Sequence, residues 1–376
     1  MLTAWVGNGR LAMLALLAML ALLALLVAPL QAQAQESAGS SELDRLAAIV
    51  ERWLASPHGD YHSGSFTHWN AEGEVPVACA ACHSQPGFVD FLGADGSAAG
   101  AVDAPAAINA PIGCASCHTQ AAHALDAVTF PSGVVVDSLD ASAACTVCHQ
   151  GRQSGDAVAA ATAGLEWDTV SGDLRFLNIH YGVAAATMHG SDVRGGFQYP
   201  GFSYAQTFEH VPSAATCVAC HQPHTTQVAT DSCFACHQGV DDIRAIRMRH
   251  ADFDGNGDRS GGILSEIQGL HAMLYTAIRT YAADVAGAPI VYADSFPYFF
   301  ADADGDGAIA PEDAIPPNRY ASWTPRLLAA AYNYQAVKKD PGGWVHNPAY
   351  QIQLLHDSLL SLSDSVPVDT AGLRRP

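Results

Sequence analysis

Cys79-Ala-Ala-Cys82-His83, Cys114-Ala-Ser-Cys117-His118, Cys145-Thr-Val-Cys148-His149, Cys217-Val-Ala-Cys220-His221 and Cys233-Phe-Ala-Cys236-His237 are the stretches that decide how this 376-residue chain is built. They hold all ten cysteines, so no thiol is left over. Paired cysteines in an exported chain usually form disulfides, but disulfides do not call for two intervening residues and a trailing His each time. A zinc site uses Cys-x-x-Cys pairs without needing His at the next position. A thioredoxin-like pair would occur once, within a βαβ pattern. The repeated spacing is that of c-type haem attachment, in which two thiols add to the vinyl groups of the porphyrin. The adjacent imidazole, here His83, His118, His149, His221 and His237, becomes the proximal ligand of the iron. Five motifs predict five covalent haems.

On these motifs the sequence resembles the multihaem cytochromes c, electron-transfer proteins of bacterial respiration. The resemblance implies a mainly α fold with extensive coil, its core packed around five haems, followed by C-terminal helices. The gaps between motif starts are 35, 31, 72 and 16 residues, so there is no fixed period and no solenoid of identical repeats. Short helices are expected to carry many of the motifs, since Cys-x-x-Cys-His is often one helical turn. The long third gap is rich in Gly and aromatics (Gly195, Gly196, Phe197, Tyr199, Phe202, Tyr204) and reads as loops and short strands covering haem faces. The haem region is placed at 35–240.

The ends and the charge point outside the cytoplasm. Arg10 precedes an apolar run over 11–30, and Ala32-Gln33-Ala34 supplies a small-x-small cleavage site, so 1–34 reads as a signal peptide. The alternative is a retained N-terminal anchor, because the run is long enough to span a bilayer. No second apolar span follows, so no membrane span is expected after signal removal. The net charge is −20, and lysine occurs only at Lys338 and Lys339. Such a field repels nucleic acid and anionic membranes and favours cationic partners or divalent ions. A periplasmic or cell-surface location follows.

Beyond residue 240 the pattern changes. Apolar residues at Ile263, Ile267, Leu270, Leu274, Ile278 and Tyr281 predict a helix from 263 to 285. Thr324-Pro325 and Asn347-Pro348 each read as an N-cap followed by Pro at the first helical position, predicting helices to about 339 and 363. Two acidic loops flank the first helix. The loop from Asp302 places oxygen ligands at Asp302, Asp304, Asp306 and Ala308, Gly307 at the sixth position and Asp313 at the twelfth. The loop from Asp252 opens the same way, with Asp254, Asn256 and Asp258, then carries extra residues before Glu266. The pair resembles a tandem EF-hand or dockerin-type repeat, which implies one or two Ca2+ ions; the competing reading is a pair of Asp/Gly-rich turns without metal. The segments 241–316 and 317–376 are taken as the calcium-loop region and as C-terminal helices packing back on the haem core.

Function turns on the sixth iron position. A second His closes it and leaves electron transfer alone; an open position binds substrate. Twelve His remain after the proximal five, whereas methionine is scarce beyond the signal. His58, His68, His180, His210, His224 and His346 are the best candidates for five distal places. His224 lies three residues past a proximal ligand, so it should serve a neighbouring haem. His58 and His68 frame the first motif, and His180 and His210 lie in the third gap. His346 sits in a segment resembling the one that returns a distal His to the core of larger multihaem cytochromes. The surplus imidazole is either a packing residue or a ligand to a haem of a second copy, which would suit a filament of stacked subunits. All five motifs end in His, unlike the Lys-ended motif of the pentahaem nitrite reductases. The chain therefore reads as an electron carrier between redox proteins or to an extracellular acceptor, rather than an enzyme. Two alternatives stay open: a reductase of a small nitrogen or sulfur oxyanion with one open haem, and a calcium-dependent docking module.

Overall fold

A computed structural model describes residues 41–376; the expected signal peptide over 1–34 lies outside the described residues. The architecture is helical with long stretches of coil, and the sheet content is three separate two-stranded antiparallel pairs. No helix among the described residues is long and apolar enough to cross a membrane.

Three C-terminal helices, Ile263–Asp284, Pro325–Lys338 and Pro348–Ser363, pack on one another to make the main core. The first turns Ile263, Ile267, Leu270, Leu274, Ile278 and Tyr281 inward, the positions that a 3.6-residue period aligns. The other two start where their caps predict. Thr324 Oγ1 accepts from the Leu327 amide at 3.1 Å, and Asn347 Oδ1 from the Tyr350 amide at 3.1 Å. Each such cap contributes about 1 kcal/mol. Pro325–Lys338 is buried almost all round, so its polar groups need partners inside the protein. Asn333 meets that need by accepting from the Phe197 amide at 2.7 Å and donating to the Phe197 carbonyl and Ser358 Oγ. Tyr332 donates to the Gly195 carbonyl, and the Tyr350 hydroxyl accepts from the Gly196 amide. Gly196 presses against Leu354, where any Cβ would overlap the leucine.

The C-terminal helices are thereby stitched to the long third gap, whose Leu174, Ile179, Val183, Ala186, Phe197 and Tyr199 enter the same core. One core thus takes in residues from both sides of position 240. That gap is mostly coil, as expected, but holds helices in place of the expected short strands. It forms helices Gly155–Thr162 and Ala184–His189, and no strand lies between 150 and 216. The physical reason is the alanine-rich composition of both pieces, since alanine has the highest helix propensity.

The motif region has only small apolar clusters of its own, such as Phe88, Leu92, Ala122, Val128, Leu139, Ala143 and Val147. Helices Val77–His83, Ala143–His149 and Cys217–Cys220, with 3-10 turns Cys114–Ser116 and Thr230–Ala235, carry the five motifs as the expected single turns.

Candidate haem and calcium centres

The fold sets a second imidazole beside each of the five motif imidazoles. The ring centroids of His83 and His180 are 5.9 Å apart, those of His118 and His224 6.0 Å, and those of His149 and His58 6.3 Å. For His221 and His346 the separation is 6.3 Å, and for His237 and His210 it is 5.8 Å. A metal bound between two imidazoles lies about 2 Å from each ring nitrogen, and each nitrogen about 1 Å from its ring centre, so the centroids of such a pair are about 6 Å apart. The pairs match that spacing, so the residues fit five bis-imidazole haem irons. His118 also has His123 at 6.4 Å. His68, the sixth candidate, makes no ring contact with a motif His, although its charge acts on His83. It is exposed, with its ring edge-on to Trp69 at 4.8 Å, and Trp69 in turn stands 5.1 Å from His83.

Hydrogen bonds orient several of these rings. His83 Nδ1 lies 2.8 Å from the Ser65 carbonyl, His149 Nδ1 2.8 Å from the Gly182 carbonyl, and His221 Nδ1 3.2 Å from the Thr226 carbonyl. A carbonyl can only accept, so Nδ1 carries the proton and Nε2 presents its lone pair. His346 Nδ1 contacts both carboxylate oxygens of Asp340 at 2.9 Å. His180 sits at φ +85°, a left-handed conformation rare for a residue with a Cβ. It is held there by Asn178 Oδ1, which accepts from its amide at 3.0 Å, while the Ile179 carbonyl accepts from Arg152. Strain of this kind collects at functional positions. Burial lowers the His180 pKa to about 4, with His83, Arg152 and Lys339 adding to the effect, so its ring is neutral, the form that ligates a metal.

The motifs also touch one another. Cys82 Sγ lies 3.9 Å from the Val147 carbonyl and Cys148 Sγ 3.9 Å from the Ala81 carbonyl, a reciprocal contact between the first and third motifs. The Cys217 amide donates to Ser142 Oγ at 3.0 Å, which seats the fourth motif against the third.

Over 88% of its length the chain is 24% identical to the C-type polyheme cytochrome OmcC of Geobacter sulfurreducens. Over 59% of its length it is 25% identical to the C-type polyheme cytochrome OmcB of the same organism. The chain is a distant homologue of these polyheme cytochromes. The chain spans 43% of OmcC and 31% of OmcB, less than half of either relative. No family model and no solved structure matches it.

The two acidic loops of the chain share one hydrogen-bond pattern. Asp252 accepts from the Gly255 and Gly257 amides at 2.7 and 2.8 Å; Asp302 accepts from the Gly305 and Gly307 amides at 3.0 and 3.0 Å. The four glycines have φ between +73° and +84°, which a Cβ would oppose. In the first loop the carboxylates of Asp252, Asp254 and Glu266 converge within 4.8 Å of one another, all three buried. Glu266, at the start of helix Ile263–Asp284, accepts from the Phe253 and Asp254 amides and pairs with Arg247 at 2.5 Å. Burial, with Glu266 and Asp252 nearby, pushes the Asp254 carboxyl up. Asn256 and Asp258 turn their side chains to local amides of the loop. In the second loop Asp302, Asp304 and Asp306 converge, without Asp313 and with Arg279 Nη2 3.7 Å from Asp302. The Ala308 amide donates to Asp306 at 2.8 Å.

Asp340 and the carbonyls of Ser65, Gly182 and Thr226 escaped sequence reasoning. A backbone carbonyl carries no sequence signal. Asp340, six residues before a candidate ligand in a turn-forming Asp-Pro-Gly-Gly stretch, was a findable one.

Proposed function

We propose that this cytochrome is an exported electron conduit carrying five haems, each closed by two imidazoles. The observation that supports this best is the pairing itself: His83 with His180, His118 with His224, His149 with His58, His221 with His346 and His237 with His210, at 5.8 to 6.3 Å. Bound haem supplies a one-electron couple at each site, and two imidazoles favour a low potential. The chain aims His83, His149, His221 and His346 by hydrogen bonds at Nδ1, packs the first, third and fourth motifs against one another, and carries a net charge of −20. Electrons would pass to and from redox proteins or an extracellular acceptor. No motif imidazole lacks a partner within the chain among the described residues, so the pairing favours neither an open-haem reductase nor a ligand donated by a second copy.

The acidic loops act, in this reading, as calcium staples. The site at Asp252, Asp254 and Glu266 is favoured, because its three buried carboxylates converge and, among the described residues, form a single ion pair, Glu266 with Arg247. The loop of Asp302, Asp304 and Asp306 is the more exposed second site.

The test is the visible spectrum of the dithionite-reduced protein with and without carbon monoxide. No change is expected. A change equal to one haem in five would reveal an open iron and replace the conduit by the reductase.

A further inference from the structure

We propose that Asp340 makes the fourth haem site, the one formed by Cys217, Cys220, His221 and His346, the most reducing of the five. The proposal rests on His346 being an iron ligand. The geometry sets this site apart. Where Nδ1 of a candidate ligand has a partner at the other sites, that partner is a neutral backbone carbonyl: Ser65 for His83 and Gly182 for His149. His221, the opposite ligand of the fourth site, also meets a neutral carbonyl, that of Thr226. His346 alone meets a carboxylate, with both oxygens at 2.9 Å.

Asp340 is built to hold that position. Its side chain is 3% exposed. One carboxylate oxygen accepts from the Gly342 amide at 3.2 Å, and its carbonyl accepts from the Gly343 amide at 3.0 Å. Gly342 lies against the His346 ring, where a Cβ would come 2.7 Å from Cε1 and drive the ring off the carboxylate. The neighbouring cation does not neutralise it. Lys339 points away, its Nζ stacked over Tyr181 at 3.5 Å and Tyr298 at 4.4 Å. His346 is the only ion-pair partner of Asp340 among the described residues.

A carboxylate on Nδ1 makes Nε2 a stronger donor, and a buried negative charge opposes the arrival of an electron. Both effects favour the oxidised iron over the reduced one. Reduction adds one electron and no atom, so the balance needs nothing beyond the electron donor of the conduit itself. An electron reaching this site would leave it readily for its neighbours, which would make the fourth site the step that sets how steeply the array conducts.

The experiment is a spectroelectrochemical titration of the full, haem-loaded chain and of Asp340→Asn, with Asp340→Glu as the conservative variant. In Asp340→Asn the lowest-potential haem should rise so that, at a fixed applied potential, its reduced-to-oxidised ratio increases tenfold or more, equal to 59 mV or more for one electron. The other four should stay put, all five should remain low-spin, and glutamate should restore the wild-type value in part. Unshifted potentials with five low-spin haems would overturn the proposal. So would conversion of one haem to high spin in Asp340→Asn without rescue by glutamate, which would make Asp340 a structural support only. His346→Ala separates the layers: five low-spin haems in that variant would refute ligation by His346 itself, whereas one high-spin haem there with no shift in Asp340→Asn would refute the role of Asp340 alone.

Discussion

Replacing His180 by alanine should open one iron in five. The ring of His180 is the neighbour of His83 at 5.9 Å, and no second candidate ligand comes as near to His83. His68, the nearest other imidazole in sequence, stands edge-on to Trp69 at 4.8 Å and makes no ring contact with His83. The ferrous protein should therefore bind one carbon monoxide per chain, and one fifth of its low-spin absorbance should convert, while His68→Ala should change nothing. The backbone adds a second number. His180 holds φ at +85°, which costs a residue with a Cβ about 1 kcal/mol relative to glycine. His180→Gly should lose the same ligand yet melt as a protein about 1 kcal/mol more stable than His180→Ala. Carbon monoxide titration followed optically, with thermal melts of both variants, reads the two effects separately. Five low-spin haems in His180→Ala, or a high-spin haem in His68→Ala, would refute the assignment of pairs.

At His118, where His224 and His123 both come near, His224→Ala should produce one high-spin haem and His123→Ala none; optical spectra of the two variants decide between them. Calcium at a hundredfold excess over its dissociation constant should stabilise the protein by about 2.7 kcal/mol per site, and Glu266→Gln should remove the share of the first loop; calorimetric melts with and without chelator measure both. Asp168 is held below its ordinary value of 3.8, first by its hydrogen bond to Arg326, against partial burial, with Tyr281, the Arg326 charge and Ser365 contributing. A depressed carboxyl contributes stability above its unfolded pKa and loses it as pH falls through the folded one. Asp168→Asn should therefore be destabilised at pH 7, by no more than about 1 kcal/mol at this half-exposed position, and the difference should shrink below pH 3.8; denaturant titrations across pH test this.

Much of this protein was legible in order along the chain. Thioether attachment and the proximal ligand need Cys and His at fixed offsets, so the five Cys-x-x-Cys-His stretches could be read without a fold. Capping is equally local, and Thr324-Pro325 and Asn347-Pro348 start their helices where they should. The acidic loops repeat one pattern because Asp at the first position and Gly at the fourth and sixth satisfy each other within a few residues. What only the tertiary structure decided is everything that joins distant segments. The six distal candidates were visible, but which His stands beside which motif depends on contacts spanning up to 125 residues, as between His221 and His346. The third gap looked like loop and became part of the main core, because Asn333, Tyr332 and Tyr350 supply hydrogen bonds to its backbone from helices that follow it. Asp340 went unread in the sequence; the fold sets both its oxygens 2.9 Å from His346 Nδ1. Local chemistry is written in neighbouring residues; the pairing of imidazoles and the charge around each pair arise from long-range packing, which no short window of sequence records.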